Sequence, residues 1–174
     1  MPLGLKRFHQ SKQSHFITFS CYRRLPRFER ERIRDFFVES LERTRERYRL
    51  RVFGYVVMSE HVHLLVSEPE VGVLSTAIQA LKVSVAQLAI RRFGQSLAPF
   101  WQKRYYDHNV RDARSFVIKL RYIHRNPVTR GLCKEPAQWK WSSFRHYASA
   151  DPGPVEIESE WTAMRRQGRA PRLL

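Results

Sequence analysis

Two histidines, His61 and His63, stand one residue apart in the otherwise apolar run GYVVMSEHVHLLVSEP at residues 54–69. In a β-strand, residues i and i+2 point to the same face, so these imidazoles lie side by side while Val62 and Leu64 face the other way. Imidazoles whose Cα atoms are about 6.5–7 Å apart can converge on one divalent ion. We expect the apolar face to pack against helices and the imidazole face to point outward. The alternative is a pair of ordinary surface histidines, because two imidazoles do not complete a metal site.

A second group of candidate residues lies in the stretch YIHRNP at residues 122–127. Tyr122 and Asn126 are four residues apart, which places them on one face of a helix. At the edge of the apolar stripe of that helix, the Tyr122 phenol could reach the open face of the sheet and attack phosphorus as a nucleophile. Asn126 could offer its carbonyl oxygen as a third metal ligand. The alternatives are a half-buried tyrosine with its hydroxyl in water and a helix-terminal asparagine before a proline.

The composition favours a polyanionic partner. The chain of 174 residues, which suits one domain, has 32 Lys and Arg against 16 Asp and Glu, a formal net charge of +16. Such an excess favours nucleic acid, because each neutralised phosphate releases condensed counterions. No apolar run is long enough to predict a membrane span, and the N-terminus lacks the apolar segment of a secretion signal. Two distant cysteines suit a reducing compartment, so we expect a cytoplasmic protein with no membrane partner.

The elements that must position these residues follow from hydrophobic periodicity. The pattern predicts strands at residues 15–22, 51–58 and 61–67, a short strand or extended segment at 100–108, and helices at 29–48, 73–93 and 113–125. Only Ser59 and Glu60 separate the second and third strands, so these should form an antiparallel hairpin. We expect Asn126-Pro127 to end the last helix, because the residue before a proline is pushed out of the α region.

This order predicts an α+β protein with an antiparallel sheet of order β-α-β-β-α-β along the chain and helices on one face. An additional helix carries Tyr122, and a C-terminal extension follows. We predict one domain at residues 1–148 and a loosely packed or partly disordered tail at 149–174.

Three motifs in the same order and spacing resemble the REP-associated tyrosine transposases. The motifs are His61-Val62-His63 after VVMSE, FWQKRYYDHNVRD at 100–112 and YIHRNPVTRGL at 122–132. The segment WSSF at 141–144 follows them and adds to the resemblance. That family is the bacterial single-tyrosine branch of the HUH endonuclease and transposase superfamily, and the resemblance runs from about residue 14 to 147. It implies a ferredoxin-like or RRM-like fold, with Tyr122 as nucleophile and with His61, His63 and Asn126 as ligands of a divalent metal ion, Mg²⁺ or Mn²⁺.

The resemblance also implies a reaction and a substrate. Tyr122 would cleave single-stranded DNA at a palindromic hairpin element, leaving a 5′-phosphotyrosine link and a free 3′-OH that can reverse the step and rejoin strands. The implied location is the bacterial cytoplasm, with the nucleoid. We expect a monomer and leave a dimer open.

Aromatic and basic residues interleave around these motifs, as in single-strand binding surfaces. The candidates for DNA binding are Lys103, Arg104, Tyr105, Tyr106, Arg111, Arg125 and Arg145. The tryptophans nearby are better read as core. Tyr105 and Tyr106 are rival nucleophiles that lack a helix partner like Asn126. The auxiliary candidates are Asp107, His108 and His124, and His124 should point away from Tyr122.

Two other functions fit the same residues. A binding module of RRM-like fold would hold structured DNA or RNA without cutting it, although such a decayed enzyme should have lost His61, His63 or Tyr122. A hydrolase could use a histidine-bound metal and water, and it would not need Tyr122.

Overall fold

The computed structural model describes residues 13–94 and 99–169. A four-stranded antiparallel sheet has the order β2-β3-β1-β4. Its strands are β1 (Ser14–Ser20), β2 (Val52–Val57), β3 (His61–Val66) and β4 (Tyr106–Val110). The hairpin between β2 and β3 is closed by the Met58 N–H, which donates to the His61 carbonyl at 2.9 Å. The predicted α+β class, strand order along the chain and antiparallel pairing are confirmed.

Five helices accompany the sheet, and none within residues 13–94 and 99–169 is long and apolar enough to cross a membrane. They are α1 (Glu31–Tyr48), α2 (Leu74–Phe93), α3 (Ala113–Thr129), α4 (Phe144–Ser149) and α5 (Glu160–Arg166). Short 3-10 turns stand at Tyr22–Arg24 and Pro136–Gln138. The first three helices lie where the sequence periodicity predicts them, apart from the end of α3.

Helices α1 and α2 cover one face of the sheet. Phe19 of β1 contacts Phe37 of α1 and Trp101, with ring centroids 5.9 and 5.0 Å apart. Val62 and Leu64, which alternate with the histidines on β3, are fully buried. Burial of this alternating apolar set is the main source of the stability of the fold, since apolar area removed from water is worth about 25 cal/mol per Å².

Helix α3 lies across the opposite face, so the prediction of helices on one face is wrong. Gly54 of β2 makes this close packing feasible: a Cβ atom there would stand 2.6 Å from Cδ1 of Leu120 and 3.7 Å from Cδ1 of Ile123. Phe53 and Phe116 add an edge-to-face contact at 5.3 Å. The apolar stripe of α3 requires a partner surface, and the second face of the sheet supplies it.

The predicted end of α3 before Pro127 is also wrong. The helix continues to Thr129, with Pro127 inside it. The proline removes one N–H donor, but the following carbonyls of this turn are used: Asn126 accepts from the Arg130 N–H at 3.0 Å, and Pro127 accepts from the Leu132 N–H at 2.9 Å. Asn126 is therefore a helical residue, fixed in direction by the helix on both sides.

Part of the segment after α4 packs against the sheet. Val155 and Ile157 are buried, Ile157 forms a parallel bridge with Val52, and the Glu158 N–H donates to the Val52 carbonyl at 2.8 Å. The Ser159 hydroxyl then caps α5. The expected loose packing is therefore wrong for residues 155–162, because apolar residues at i and i+2 extend the edge of the sheet. The end of the predicted tail, residues 170–174, lies outside the described residues.

A buried, ion-paired histidine links β1 to β4 on the face of the sheet that α1 and α2 cover. The His15 side chain is fully buried, with Nδ1 at 2.8 Å from Asp107 Oδ1 and Nε2 at 3.3 Å from Glu68 Oε1. Burial lowers the pKa of His15, but the hydrogen bonds and charges of Asp107 and Glu68 outweigh burial and raise it. Asp107 is thus a structural residue on the α1 and α2 face, and its expected auxiliary role is wrong.

We predict that Gly54→Ala destabilises the fold by about 1–3 kcal/mol, because the added methyl group overlaps Leu120 and forces it or α3 to move. Urea unfolding measures the change in free energy. In a Leu120→Ala background the penalty of Gly54→Ala should fall, since the overlapping atom is gone. An unchanged penalty in that background would contradict the contact.

The raised pKa of His15 predicts a pH-dependent contribution to stability. That contribution is fully present below the unfolded-state pKa of 6.5 and is lost as the pH rises through the higher folded pKa. The difference in unfolding free energy between wild type and His15→Gln should therefore shrink above pH 6.5. His124→Gln is the control, because burial lowers the pKa of His124 to about 4. The difference in unfolding free energy between wild type and His124→Gln should therefore change only below pH 6.5, where it should rise with pH. A flat His15 difference would count against the ion pair.

Candidate active site

The sequence-predicted catalytic and metal-binding residues meet on the α3 face of the sheet. In the strand register, Thr18 of β1 stands between His63 of β3 and Tyr106 of β4. Helix α3 lies over this row and adds Tyr122 and Asn126. Together they line a cavity of about 490 Å³ whose walls are Phe16, Thr18, Arg24, His61, His63, Tyr106, Ile118, Lys119, Tyr122, Asn126 and Arg130.

The two imidazoles are buried and face each other. Each histidine is 4% exposed, and the Nε2 atoms of His61 and His63 lie 3.0 Å apart. The expectation that they share one face is confirmed, whereas the expectation that this face points outward to solvent is wrong. Helix α3 covers the pair. Together with the helices on the other face it buries the whole of β3, which is an interior strand of the sheet.

The Nδ1 atom of each imidazole, which faces away from the other histidine, has its own hydrogen-bond partner. Nδ1 of His61 lies 2.9 Å from Glu60 Oε1, and Nδ1 of His63 lies 2.7 Å from Thr18 Oγ1. A carboxylate can only accept, so Nδ1 of His61 carries the proton and its Nε2 presents a lone pair. When Nδ1 of His63 donates to Thr18 likewise, two lone pairs point at the same space. Such partners on the far nitrogen are typical of histidines that bind metals.

Both imidazoles are held neutral. Burial lowers the pKa of His61, against the opposing effect of Glu60. Burial, together with the nearby His61 and the cations Lys119, Arg130 and Arg24, lowers the pKa of His63 to about 3. A neutral imidazole has the free lone pair that a metal ligand or a proton acceptor needs.

Asn126 completes the inner side of the cavity. It is buried, its Nδ2 lies 3.2 Å from Nε2 of His63, and its Oδ1 has no hydrogen-bond partner among the described residues. A half-turn of the amide would exchange these atoms and direct the oxygen at the imidazoles. Residues 13–94 and 99–169 contain no group of three or more His, Cys, Asp or Glu side chains that could hold a metal ion, so a third protein ligand at this pair of histidines would have to be the amide oxygen.

Tyr122 is accessible beside this cluster. It is 51% exposed, and its ring stands edge-on to His63 at 5.2 Å and to Phe16 at 6.0 Å. The spacing of four residues to Asn126 brings both side chains to the same side of α3, as predicted. The phenol can therefore meet a large substrate from solvent while its ring is held against the imidazoles.

Four charged residues at the cavity were not found by sequence reasoning. Glu60 accepts from the Arg130 guanidinium at 2.9 Å and lies 3.6 Å from Arg24. The Lys119 ammonium lies 4.6 Å from the centre of the Phe16 ring. Lys119 and Arg130 stand three residues before Tyr122 and four after Asn126, a helical spacing that could have identified them. Arg24 needed the tertiary fold, because a left-handed turn with φ of 53° brings it back over the site.

The predicted DNA-binding residues divide into three groups. Tyr106 lines the cavity, and Lys103 and Arg104 are exposed at the same end of the sheet. Arg111 and Arg125 are exposed at the start and on the outer side of α3 and do not line the cavity. Two others lie elsewhere: Tyr105 is half-buried against the core, and Arg145 donates to the Ala137 carbonyl beside a separate cavity.

The remaining candidate residues, two auxiliary histidines and three tryptophans, lie outside the cavity. His124 points away from Tyr122, as expected, with Nε2 at 2.8 Å from Ser143 Oγ. His108 stacks against Tyr106 with centroids 6.3 Å apart and does not line the cavity. Trp101, Trp139 and Trp141 are buried in the core, as expected.

Comparison with known proteins points to one family. The family model for IS200-like transposases matches residues 9–126. A Haemophilus influenzae protein whose name places it with the REP-associated tyrosine transposases is 26% identical over 129 residues, which is 69% of this chain and 73% of the relative. The REP-associated tyrosine transposase of Escherichia coli K12 is 25% identical over 110 residues, 63% of each chain.

Solved structures support the same fold. The structure of a REP-associated tyrosine transposase bound to a REP hairpin superposes with a TM-score of 0.70 at 20% identity and covers 98% of both chains. A Deinococcus radiodurans protein described as a transposase has a TM-score of 0.50 at 19% identity and covers 71% of this chain and 95% of its own. The resemblance to the REP-associated tyrosine transposases is confirmed, and with more than half of its length matched by the family model, the chain belongs to the IS200-like transposases.

Proposed function

We propose that this transposase cleaves and rejoins single-stranded DNA with Tyr122 as its nucleophile. The observation that carries the proposal is the convergence of the accessible Tyr122 phenol, two neutral imidazoles and three cations on a single cavity. The ring of Tyr122 lies 5.2 Å from that of His63, so a phosphate bound at the imidazoles would lie beside the phenol. Tyr106 is a weaker candidate, because it stands two strands away from His63 and lacks a helix partner.

The residues present fit a divalent metal ion. We propose that Nε2 of His61, Nε2 of His63 and the amide oxygen of Asn126 would hold Mg²⁺ or Mn²⁺. The 3.0 Å between the two Nε2 atoms is close to the spacing of adjacent ligands of an octahedral ion, about 3 Å for bonds of about 2.1 Å. When bound, the ion would polarise the scissile phosphate and stabilise the charge that develops on it.

The proposed step is a transesterification at phosphorus. The Tyr122 oxygen forms a bond to the phosphorus, the bond from phosphorus to the 3′-oxygen breaks, and that oxygen takes up a proton to become a free 3′-OH. The phenol proton passes to water, since Tyr122 is half exposed. One phosphodiester replaces another, so no nucleotide cofactor is needed and the reverse attack by a 3′-OH rejoins the strand.

The cations would hold the DNA backbone. Arg24 and Arg130 share the single carboxylate of Glu60, which leaves net positive charge at the cavity mouth beside Lys119. Lys103 and Arg104 at the same sheet end extend this surface. Contacts of this kind position the phosphate without reading sequence.

A hairpin is the proposed form of the substrate. Support comes from a relative of the same fold that was solved bound to a REP hairpin. The expected monomeric state, with a dimer left open, and the expected location with the bacterial nucleoid stay predictions.

Covalent capture tests the nucleophile. Wild type is incubated with a hairpin carrying single-stranded flanks and Mg²⁺ or Mn²⁺, then denatured. We expect a protein–DNA adduct that Tyr122→Phe loses completely, because the attacking oxygen is absent, and that Tyr106→Phe retains. Cleaved product without an adduct would mean attack by water, and DNA binding without product would mean a binding module; either result contradicts the proposal.

Glu60 should tune the metal site through His61. Its carboxylate accepts the Nδ1 proton of His61 at 2.9 Å and so aims the Nε2 lone pair inward. We predict that Glu60→Ala weakens Mn²⁺ binding roughly 10- to 100-fold. Isothermal titration calorimetry of the DNA-free protein measures this, with the exposed Glu70→Ala as matched control. Equal affinities for the two variants would show that Glu60 has no such role.

A further inference from the structure

A second surface feature adjoins the metal and tyrosine cluster. Helix α3 packs over β2 and β3, which leaves the β1 and β4 side of the same cavity open. There Tyr106 of β4, 40% exposed, shares the open part with Ile118 of α3, 53% exposed. These two side chains, with Phe16 between strands and helix, form what we name the β4 slot.

We propose that the β4 slot binds one unpaired nucleobase of the strand next to the scissile phosphate, stacked on Tyr106. The inference rests on the proposed cleavage function and adds a base-binding subsite to it. Its position follows from the register, since Tyr106 and His63 stand on either side of Thr18. Two strand spacings, about 9.5 Å, separate them, which a base close to the bound phosphate can span.

The Tyr106 ring has two aromatic neighbours. It lies parallel to the His108 imidazole, at 8° and 6.3 Å between centroids, and edge-on to Phe16 at 6.5 Å and 72°. A ring with neighbours on two sides has less conformational freedom to lose on binding than an isolated one. Bases of any type have a flat π-face, so such a ring is a suitable stacking platform.

The rest of the slot matches the two halves of a nucleotide. Ile118 offers exposed apolar surface to a base, while the Lys119 ammonium, which lies 4.6 Å from the centre of the buried Phe16 ring, offers charge to its phosphate. Among the described residues that line the cavity none is acidic, and the Glu60 carboxylate behind His61 is paired with Arg24 and Arg130, which suits an anionic strand. An apolar wall combined with a cation favours a nucleotide over an acidic peptide, because the peptide has no flat ring to stack.

Abasic scanning tests the slot. Hairpin substrates carry an abasic site at each single-stranded position in turn, and adduct formation is measured with wild type, Tyr106→Leu and Tyr106→Phe. On the intact substrate, we expect Tyr106→Leu to lose roughly 5- to 100-fold in rate at subsaturating DNA, as loss of one stacked base predicts, and Tyr106→Phe, which retains a flat ring, to recover most of that loss. At one position the abasic site should cause a similar loss in wild type and no further loss in Tyr106→Leu.

A binding measurement separates failure of this inference from failure of the cleavage proposal. A 2-aminopurine base is placed at the identified position, or at each position in turn if wild type forms no adduct. Its fluorescence should be quenched on binding to Tyr122→Phe and not on binding to the double variant that also carries Tyr106→Leu. Quenching without any adduct would keep the slot and overturn only the nucleophile.

Two results would refute the slot. The first is that the loss in adduct rate from Tyr106→Leu multiplies with the loss from the abasic site at every position tested. The second is that 2-aminopurine fluorescence is quenched at no position. Because Tyr106 is exposed, far-ultraviolet circular dichroism should match wild type in every variant.

Discussion

The approach of α3 to the sheet is the constraint on which the site depends. Tyr122 and Asn126 reach the histidines only because this helix lies directly on β2, and it can do so because Gly54 has no side chain at the crossing. Leu120 occupies the place that a Cβ atom would need. Interiors are packed as densely as organic crystals, so a single methyl group at such a point is felt.

The site combines buried neutral ligands with exposed cations. The imidazoles are kept neutral by burial, and Glu60 and Thr18 on their far nitrogens orient their lone pairs. Arg24 and Arg130 both reach the Glu60 carboxylate, so the turn after β1, the start of β3 and the end of α3 are tied at one charged group. Backbone positions of three separate elements are thereby fixed around one cavity.

The two faces of the sheet have different tasks. The α1 and α2 face holds fully buried apolar residues such as Val62 and Leu64 and the ion-paired His15, which supply stability. The α3 face is only half covered, and its open half exposes aromatic and cationic side chains that soluble cores avoid. This division lets the reactive side tolerate exposed rings and like charges, because folding does not depend on them.

Local patterns in the sequence determined much of this molecule. The period of two along β3 placed His61 and His63 on one face, the spacing of four placed Tyr122 beside Asn126, and apolar periodicity located the first three strands and the first three helices, whereas the fourth strand lies at Tyr106–Val110 and not at 100–108. These relations are set by backbone geometry within one element, so no other part of the chain is needed to read them.

Only the tertiary structure decided where α3 lies, that the imidazoles are buried, and that Arg24 and Glu60 join the site. An amphipathic stripe shows that a helix must pack, but it does not say on which face of a sheet. Packing of Val155 and Ile157 likewise depends on a distant partner, the sheet edge at Val52. Long-range contacts satisfy those groups, and local sequence contains no record of them.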